Sequence, residues 1–314
     1  MAGRRREPQR AGGLAALAFT LLAVACGPAG EPRASSPAAT PTTSAPSTAV
    51  EPRTDPSAAR PYVIGVIGDY GVDANPVRQV VKAMGKFNSG RPLDAVVTTG
   101  DNAYCCGTAE QAAFAWRMLS PLRLAGTPIY PALGNHDIRT GDGAPFMKQF
   151  RMAKRWYTVE VGPVQFLFLD STRVTDATQL TYVKSVLAKP RPGSFRVVVF
   201  HHPGWACSAH PPDANVVKHW LPLFGTKVDM VLAGHNHTYE RFTSGSGTPY
   251  VTTGGGGAPL YSSAAVACRG SGKLAYLKTA HHAVRLTATD ATLRLDAIGV
   301  NGVVFDSRVV RPRT

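Results

Sequence analysis

Five short apolar runs in this chain each end in a cluster of polar, metal-competent residues. Residues 62–68 (YVIGVIG) lead into Asp69. Residues 93–98 (LDAVVT) lead into Asp101, within GDNAY, and the run ending in YPAL leads into Gly134-Asn135-His136-Asp137. RVVVF leads into His201-His202, and DMVLAG leads into His235-Asn236-His237. Runs of this length, bounded by Gly and polar residues, read as strands buried on both faces. Ligands of α/β sheets gather at the carboxyl ends of strands. Carboxylates and imidazoles placed there need a partner, because an uncompensated buried charge is costly.

Between the runs the spacing changes. Val77, Val80, Val81 and Met84 recur at helical intervals, predicting a helix over 75–87, with others over 109–122, 177–187 and 214–223. Strands are expected over 128–133, 196–200 and 229–232, with a hairpin of 157–161 and 164–169 around Gly162-Pro163. From residue 249 onward period two dominates, and Asn301-Gly302 is a hairpin signal. Strand and helix alternating early, then strands, indicate an α/β domain with layered sheets.

Composition sets the outer limits. A hydrophobic share of 44% excludes a wholly disordered chain. The formal net charge is +14, but after Arg6 no run of Lys and Arg exceeds two residues. Nucleic-acid binders cluster their cations on one element. The charge therefore reads as a solvated basic surface, with no nucleic acid as specific partner, and such a surface attracts anionic substrates.

Residues 1–10 are basic, and residues 11–25 are uncharged and mostly apolar, the layout of an export signal. Ala23-Val24-Ala25-Cys26 fits an Ala-x-Ala cleavage site and also resembles a lipobox, so a lipid on Cys26 is the one membrane attachment expected. Residues 27–60 are rich in Pro, Ala, Ser and Thr and cannot bury a core, so they read as a flexible tether. Residues 61–314 are then the folded domain of an exported or surface-held protein. With Cys26 set aside, Cys105, Cys106, Cys207 and Cys268 remain, an even number suited to disulfides. Adjacent Cys105 and Cys106 are not expected to pair with each other. Either could join Cys207 and tie two motif loops together, and a surface pairing with Cys268 is equally allowed.

The polar clusters offer three His nitrogens, two carboxylates, an Asn oxygen and a phenol, enough for two metal ions. Oxygen and imidazole donors suit iron, manganese or zinc, and paired metals form the clamp used on phosphoesters. GDYG, GDNAY, GNHD, Val198-x-x-His201 and GHNH resemble the five signature blocks of the calcineurin-like metallophosphoesterases. Tyr104, GHNHTYER and the Gly-rich PYVTTGGGG make the chain similar to their purple acid phosphatase branch.

The resemblance covers residues 62–310 and implies a four-layer αββα sandwich, mixed sheets flanked by helices. It implies Fe(III) held by Asp69, Tyr104, His237 and a bridging Asp101. It implies a divalent ion (Fe, Zn or Mn) held by Asp101, Asn135, His201 and His235. Asn135, His136 and His202 would touch the substrate, with His136 assisting the leaving group and His210 a further candidate contact. Asp137 is expected to orient its neighbours. The implied reaction is attack of a metal-held hydroxide on a phosphomonoester. A phosphodiesterase or nucleotide hydrolase, and a surface lipoprotein without catalysis, are the alternatives. His281-His282 reads as structural, Gly254–Gly257 as a tight loop beside the site, and Trp205 as a candidate for lining its mouth.

Overall fold

Strand β1 (Tyr62–Ile67) shows why its sequence lacks a polar period. Ile64 and Val66 enter one core, and Val63 and Ile67 enter another on the opposite face. Both faces are covered, so every position favours an apolar residue. Strand β6 (Phe195–Val199) divides in the same way. Phe195, Val197 and Val199 meet the core of Ile64, while Val198 and the following Phe200 enter a third.

A computed structural model describes residues 60–261, 268–270 and 272–313. The expected export signal, Cys26 and the tether up to residue 59 lie outside the described residues. Two mixed sheets stack on each other. The first has six strands in the order β13 (Val304–Val310), β12 (Leu293–Gly299), β11 (His282–Ala288), β1, β2 (Ala95–Thr98), β3 (Ile129–Pro131). The second has seven, in the order β10 (Lys273–Lys278), β8 (Tyr239–Thr243), β9 (Pro249–Thr253), β7 (Met230–Ala233), β6, β5 (Val164–Phe168), β4 (Tyr157–Val161). Helices Asn75–Met84 and Ala109–Met118 cover the outer face of the first sheet. Helix Ala177–Leu187 and the segment around Trp220 and Phe224 cover the outer face of the second. The four layers are those that the resemblance implied. Among the described residues no helix is long and apolar enough to cross a membrane.

The parallel registers decide where the functional residues go. Ile67 is level with Thr98, Thr98 with Pro131, and Val199 with Leu232. The strands that precede the five polar clusters thus end flush within each sheet.

Proline accounts for two departures from the expected helices. The helix over 109–122 stops at Met118, and Ser120–Arg123 forms a separate turn containing Pro121. The helix over 214–223 begins as a wider π-type turn, Val216–Trp220, and continues as Leu221–Phe224 around Pro222. Proline has no N–H to donate to the preceding turn.

The disulfides also correct the sequence reading. Cys207 pairs with Cys268, and Cys105 pairs with its neighbour Cys106 across a Cα–Cα distance of 3.8 Å. In extended backbone successive side chains point to opposite sides. Cys105 instead adopts a left-handed φ of 60°, which turns the two side chains toward one another.

His282 is buried, as a structural histidine should be. Its Nδ1 donates to the Ala280 carbonyl at 2.8 Å, and its Nε2 accepts from the Thr253 hydroxyl at 2.9 Å. Both nitrogens are thus satisfied in the neutral ring. Burial, aided by the charge of His281, pushes its pKa down to about 4, against about 6.5 for a free histidine. Below pH 6.5 the unfolded chain binds a proton that the native ring refuses. Stability should therefore fall as pH drops from 6.5 to about 4, by up to about 3 kcal/mol from this residue. His282→Gln should flatten that part of the curve of unfolding free energy against pH, measured by denaturant titration. Equal slopes in the two proteins would refute this account.

Candidate metal centre

Three residues that open the polar clusters or stand within them have left-handed backbone: Asp69 (φ 57°), Asp101 (φ 47°) and His235 (φ 70°). A non-glycine residue there costs on the order of 1–3 kcal/mol, and such strain collects at functional sites. Neighbouring glycines let the loops close on one another. A Cβ on Gly134 would lie 2.2 Å from the Asp101 amide and carboxylate, and one on Gly100 (φ 96°) would lie 2.7 Å from His201 Nδ1.

Two groups of side chains result. In the first, the Tyr104 hydroxyl is 2.7 Å from His237 Nε2 and 3.1 Å from Asp69 Oδ1. His237 Nδ1 donates to the Pro259 carbonyl at 2.7 Å, so Nε2 is the nitrogen left facing Tyr104 and Asp69. In the second, His201 Nε2 lies 3.3 Å from Asp101 Oδ2, 3.1 Å from Asn135 Oδ1 and 3.2 Å from His235 Nδ1. His201 Nδ1 donates to the Thr99 carbonyl at 3.0 Å. Ligand atoms of four residues therefore converge around one position. Ligand atoms of Asp69, Asp101 and His201 lie within 4.8 Å of one another, as do those of His201, His202 and His235.

This set of oxygen and imidazole donors fits cations. Asp69 and Asp101 are buried at 0% and 2% exposure. Burial, then the Asp69 and Asp101 carboxylates, push the Tyr104 phenol far above its ordinary range. A phenolate there requires a cation beside it. Burial and the neighbouring His201, His202 and His210 hold His235 in its neutral form, the form that ligates metal. Burial and His201 likewise lower His202 to about 3.

A second layer of contacts fixes the loops. Asp137 is fully buried and accepts the amides of Gly134 and Ala103 and the Asn102 side-chain amide, each at 2.8 Å. Asn102 also donates to the Ala132 carbonyl at 2.8 Å, which staples the loop after β2 to the loop after β3. Asp137 thus orients its neighbours as expected. Asn236 accepts from the His210 amide at 2.9 Å and donates to its carbonyl at 3.1 Å. That clamp stacks the His210 ring against His235 at 4.3 Å.

His202 faces Ser171 Oγ at 2.9 Å. His136 lies over the Tyr104 ring at 4.6 Å, with Nε2 3.9 Å from Asp101 Oδ2. It is 23% exposed, the partly open side of the centre. A Cβ on Gly254 would come 2.8 Å from Asp69 Oδ2, so the Gly-rich turn does sit beside the site.

All the site residues expected from the sequence are therefore brought together here. Trp205 is a correction. It is 7% exposed and packs on Tyr250 in the third core, not at a mouth, because Gly270 and Gly272 lie against its ring. Tyr261 went unforeseen. Its ring stacks on His237 at 4.1 Å, and its hydroxyl is 3.2 Å from His210 Nε2. No motif surrounds it, so spacing carried no signal for it.

The comparisons with known proteins agree with this geometry. The family model for calcineurin-like phosphoesterases matches residues 62–239, more than half of the chain. Purple acid phosphatase 4 of Arabidopsis thaliana is 29% identical over 228 residues, 61% of this chain and 67% of that protein. Purple acid phosphatase 3 of the same plant is 27% identical, again over 61% of this chain, and the match spans 62% of its length.

Among solved structures, the purple acid phosphatase PPD1 of yellow lupin superposes with a TM-score of 0.65 at 19% identity, covering 81% of this chain and 54% of that one. GAP50, the anchor in the inner membrane complex of Plasmodium, also gives 0.65, at 16% identity, over 81% and 90% of the two chains. At these identities structural likeness shows the fold alone. Fold, five-block geometry and family match together place this chain in the calcineurin-like phosphoesterase family, where it resembles the purple acid phosphatases.

Proposed function

We propose that this protein is an exported phosphatase with two metal ions that hydrolyses phosphomonoesters. The observation that carries the reading is the convergence of Asp69, Tyr104 and His237 beside Asp101, Asn135, His201 and His235. Asp69, Tyr104 and His237 would hold Fe(III), with Asp101 shared. Asp101, Asn135, His201 and His235 would hold a divalent Fe, Zn or Mn. When bound, the cations supply Lewis acidity, activating water and neutralising phosphoryl charge.

The chain's own residues then do the rest. As an imidazolium, His136 keeps its Nδ1 proton on the Cys105 carbonyl at 3.1 Å, so the proton it can give to the leaving oxygen is the one on Nε2. His202 stands beside the two-group cluster and offers a hydrogen bond to a phosphoryl oxygen. Asn135 would touch the same oxygen through its amide. The basic surface draws anionic substrates toward the site. Export rests on the leader composition of residues 1–25 and on two disulfides, which suit an oxidising compartment. Cys26 would carry the lipid, residues 27–60 the tether and residues 61–314 the catalysis.

The deciding comparison is hydrolysis of a nitrophenyl phosphate against its bis-nitrophenyl diester by metal-replete protein. Preference for the monoester is expected, and preference for the diester would move the protein to phosphodiesterase chemistry. Asp101→Asn should lose metal by elemental analysis and reduce kcat by at least about 10²-fold, since it removes charge shared by both groups. Unchanged metal content and rate would sink the assignment. Tyr104→Phe should abolish the visible charge-transfer band of the oxidised, iron-loaded protein. A wild type without such a band would argue against Tyr104 on Fe(III). Chelation should also lower the thermal midpoint, because ligands that bind only the native state stabilise it.

A further inference from the structure

The pair Cys105–Cys106 follows Tyr104 directly and sits at the rim of the centre, with Cys105 exposed. Its backbone serves the loop that carries His136. The Cys105 carbonyl accepts from His136 Nδ1 and from Arg139 Nη1, both at 3.1 Å. The Cys106 carbonyl accepts from the Thr140 hydroxyl at 2.6 Å. On its other side the pair is anchored to a helix. The Cys106 amide donates to Gln111 Oε1 at 3.1 Å, and the same oxygen accepts from the Thr108 amide in the capping box of helix Ala109–Met118.

We propose that the Cys105–Cys106 disulfide is the positioning element for His136, holding its imidazole in the orientation that protonates the leaving group. The inference rests on the acid role given above to His136. Cys105 occupies the left-handed region, which an ordinary side chain avoids. A bond that closes a ring through the peptide linking the two residues leaves few conformations open, so the two carbonyls keep their aim. Without the bond, Cys105 is free to return to negative φ. Its carbonyl then turns away, and the His136 ring loses the acceptor that fixes its tautomer and orientation. Metal-binding groups on the other loops are secured elsewhere. Asp69 accepts from the His235 amide, His201 donates to Thr99, and His237 donates to Pro259. Loss of the bond should thus free the His136 ring, while its amide stays on Asp101 and the metals stay in place.

The test compares wild type, Cys105→Ser/Cys106→Ser and His136→Ala, all metal-loaded, on a nitrophenyl phosphate and on an alkyl phosphate. The alkyl leaving group needs a proton far more. The disulfide variant should keep wild-type metal content and lose about 10²-fold in kcat on the alkyl ester, with only a few-fold change on the nitrophenyl ester. Combined with His136→Ala it should add no further loss. Cys105→Gly/Cys106→Ala, in which glycine reaches positive φ without the bond, should show the same leaving-group pattern.

A readout independent of turnover is NMR of the histidine ring nitrogens in zinc-loaded protein. In the neutral ring, His136 should hold its one proton on Nδ1 in wild type and show mixed tautomers in the disulfide variants. Equal losses on both esters, multiplying losses with His136→Ala, or an unchanged tautomer would each overturn the proposal. A wild type with two metals that hydrolyses neither ester would instead overturn the phosphatase reading on which it rests.

Discussion

Two carboxylates, Asp69 and Asp101, are buried where the two sheets meet, and the rest of the structure is arranged around that fact. A pair of buried anions is tolerable only when donors and cations surround it. The donors are visible. The His235 amide points at Asp69, the His136 amide points at Asp101, and His201 stands against the Asp101 carboxylate. The remaining lone pairs converge on positions that suit metal ions.

The same contacts close the fold at one edge. His201 follows a strand of the second sheet yet donates to Thr99, which follows a strand of the first. His235, again from the second sheet, donates to Asp69 from the first. Asp137 and Asn102 join neighbouring loops within the first sheet. Site and scaffold are thus one network of hydrogen bonds. Metal binding and folding stability should be thermodynamically linked through it.

Much of this was legible in the chain. The five strands read as apolar runs because both of their faces are covered, and the ligands read as the polar residues that end them. Asn102 and Asn236 lay in plain view between ligands, but only their partners show that they clamp loops. What misled was local geometry. Adjacent cysteines are not expected to pair, yet the left-handed turn at Cys105 brings their side chains together. Pro121 splits one helix and Pro222 accompanies a widened turn in another, although the apolar spacing runs on through both.

By itself the sequence determined the strand and helix alternation, the identity of the metal-competent residues and the family resemblance. Those are properties of period, of side-chain chemistry and of short motifs, each contained within a few neighbouring positions. Only the tertiary structure decided which lone pairs face each other, which cysteines join and that Tyr261 stacks on His237. Those depend on strand register, on the stacking of one sheet over the other and on backbone turns with positive φ. These are long-range constraints, and no local stretch of sequence encodes them.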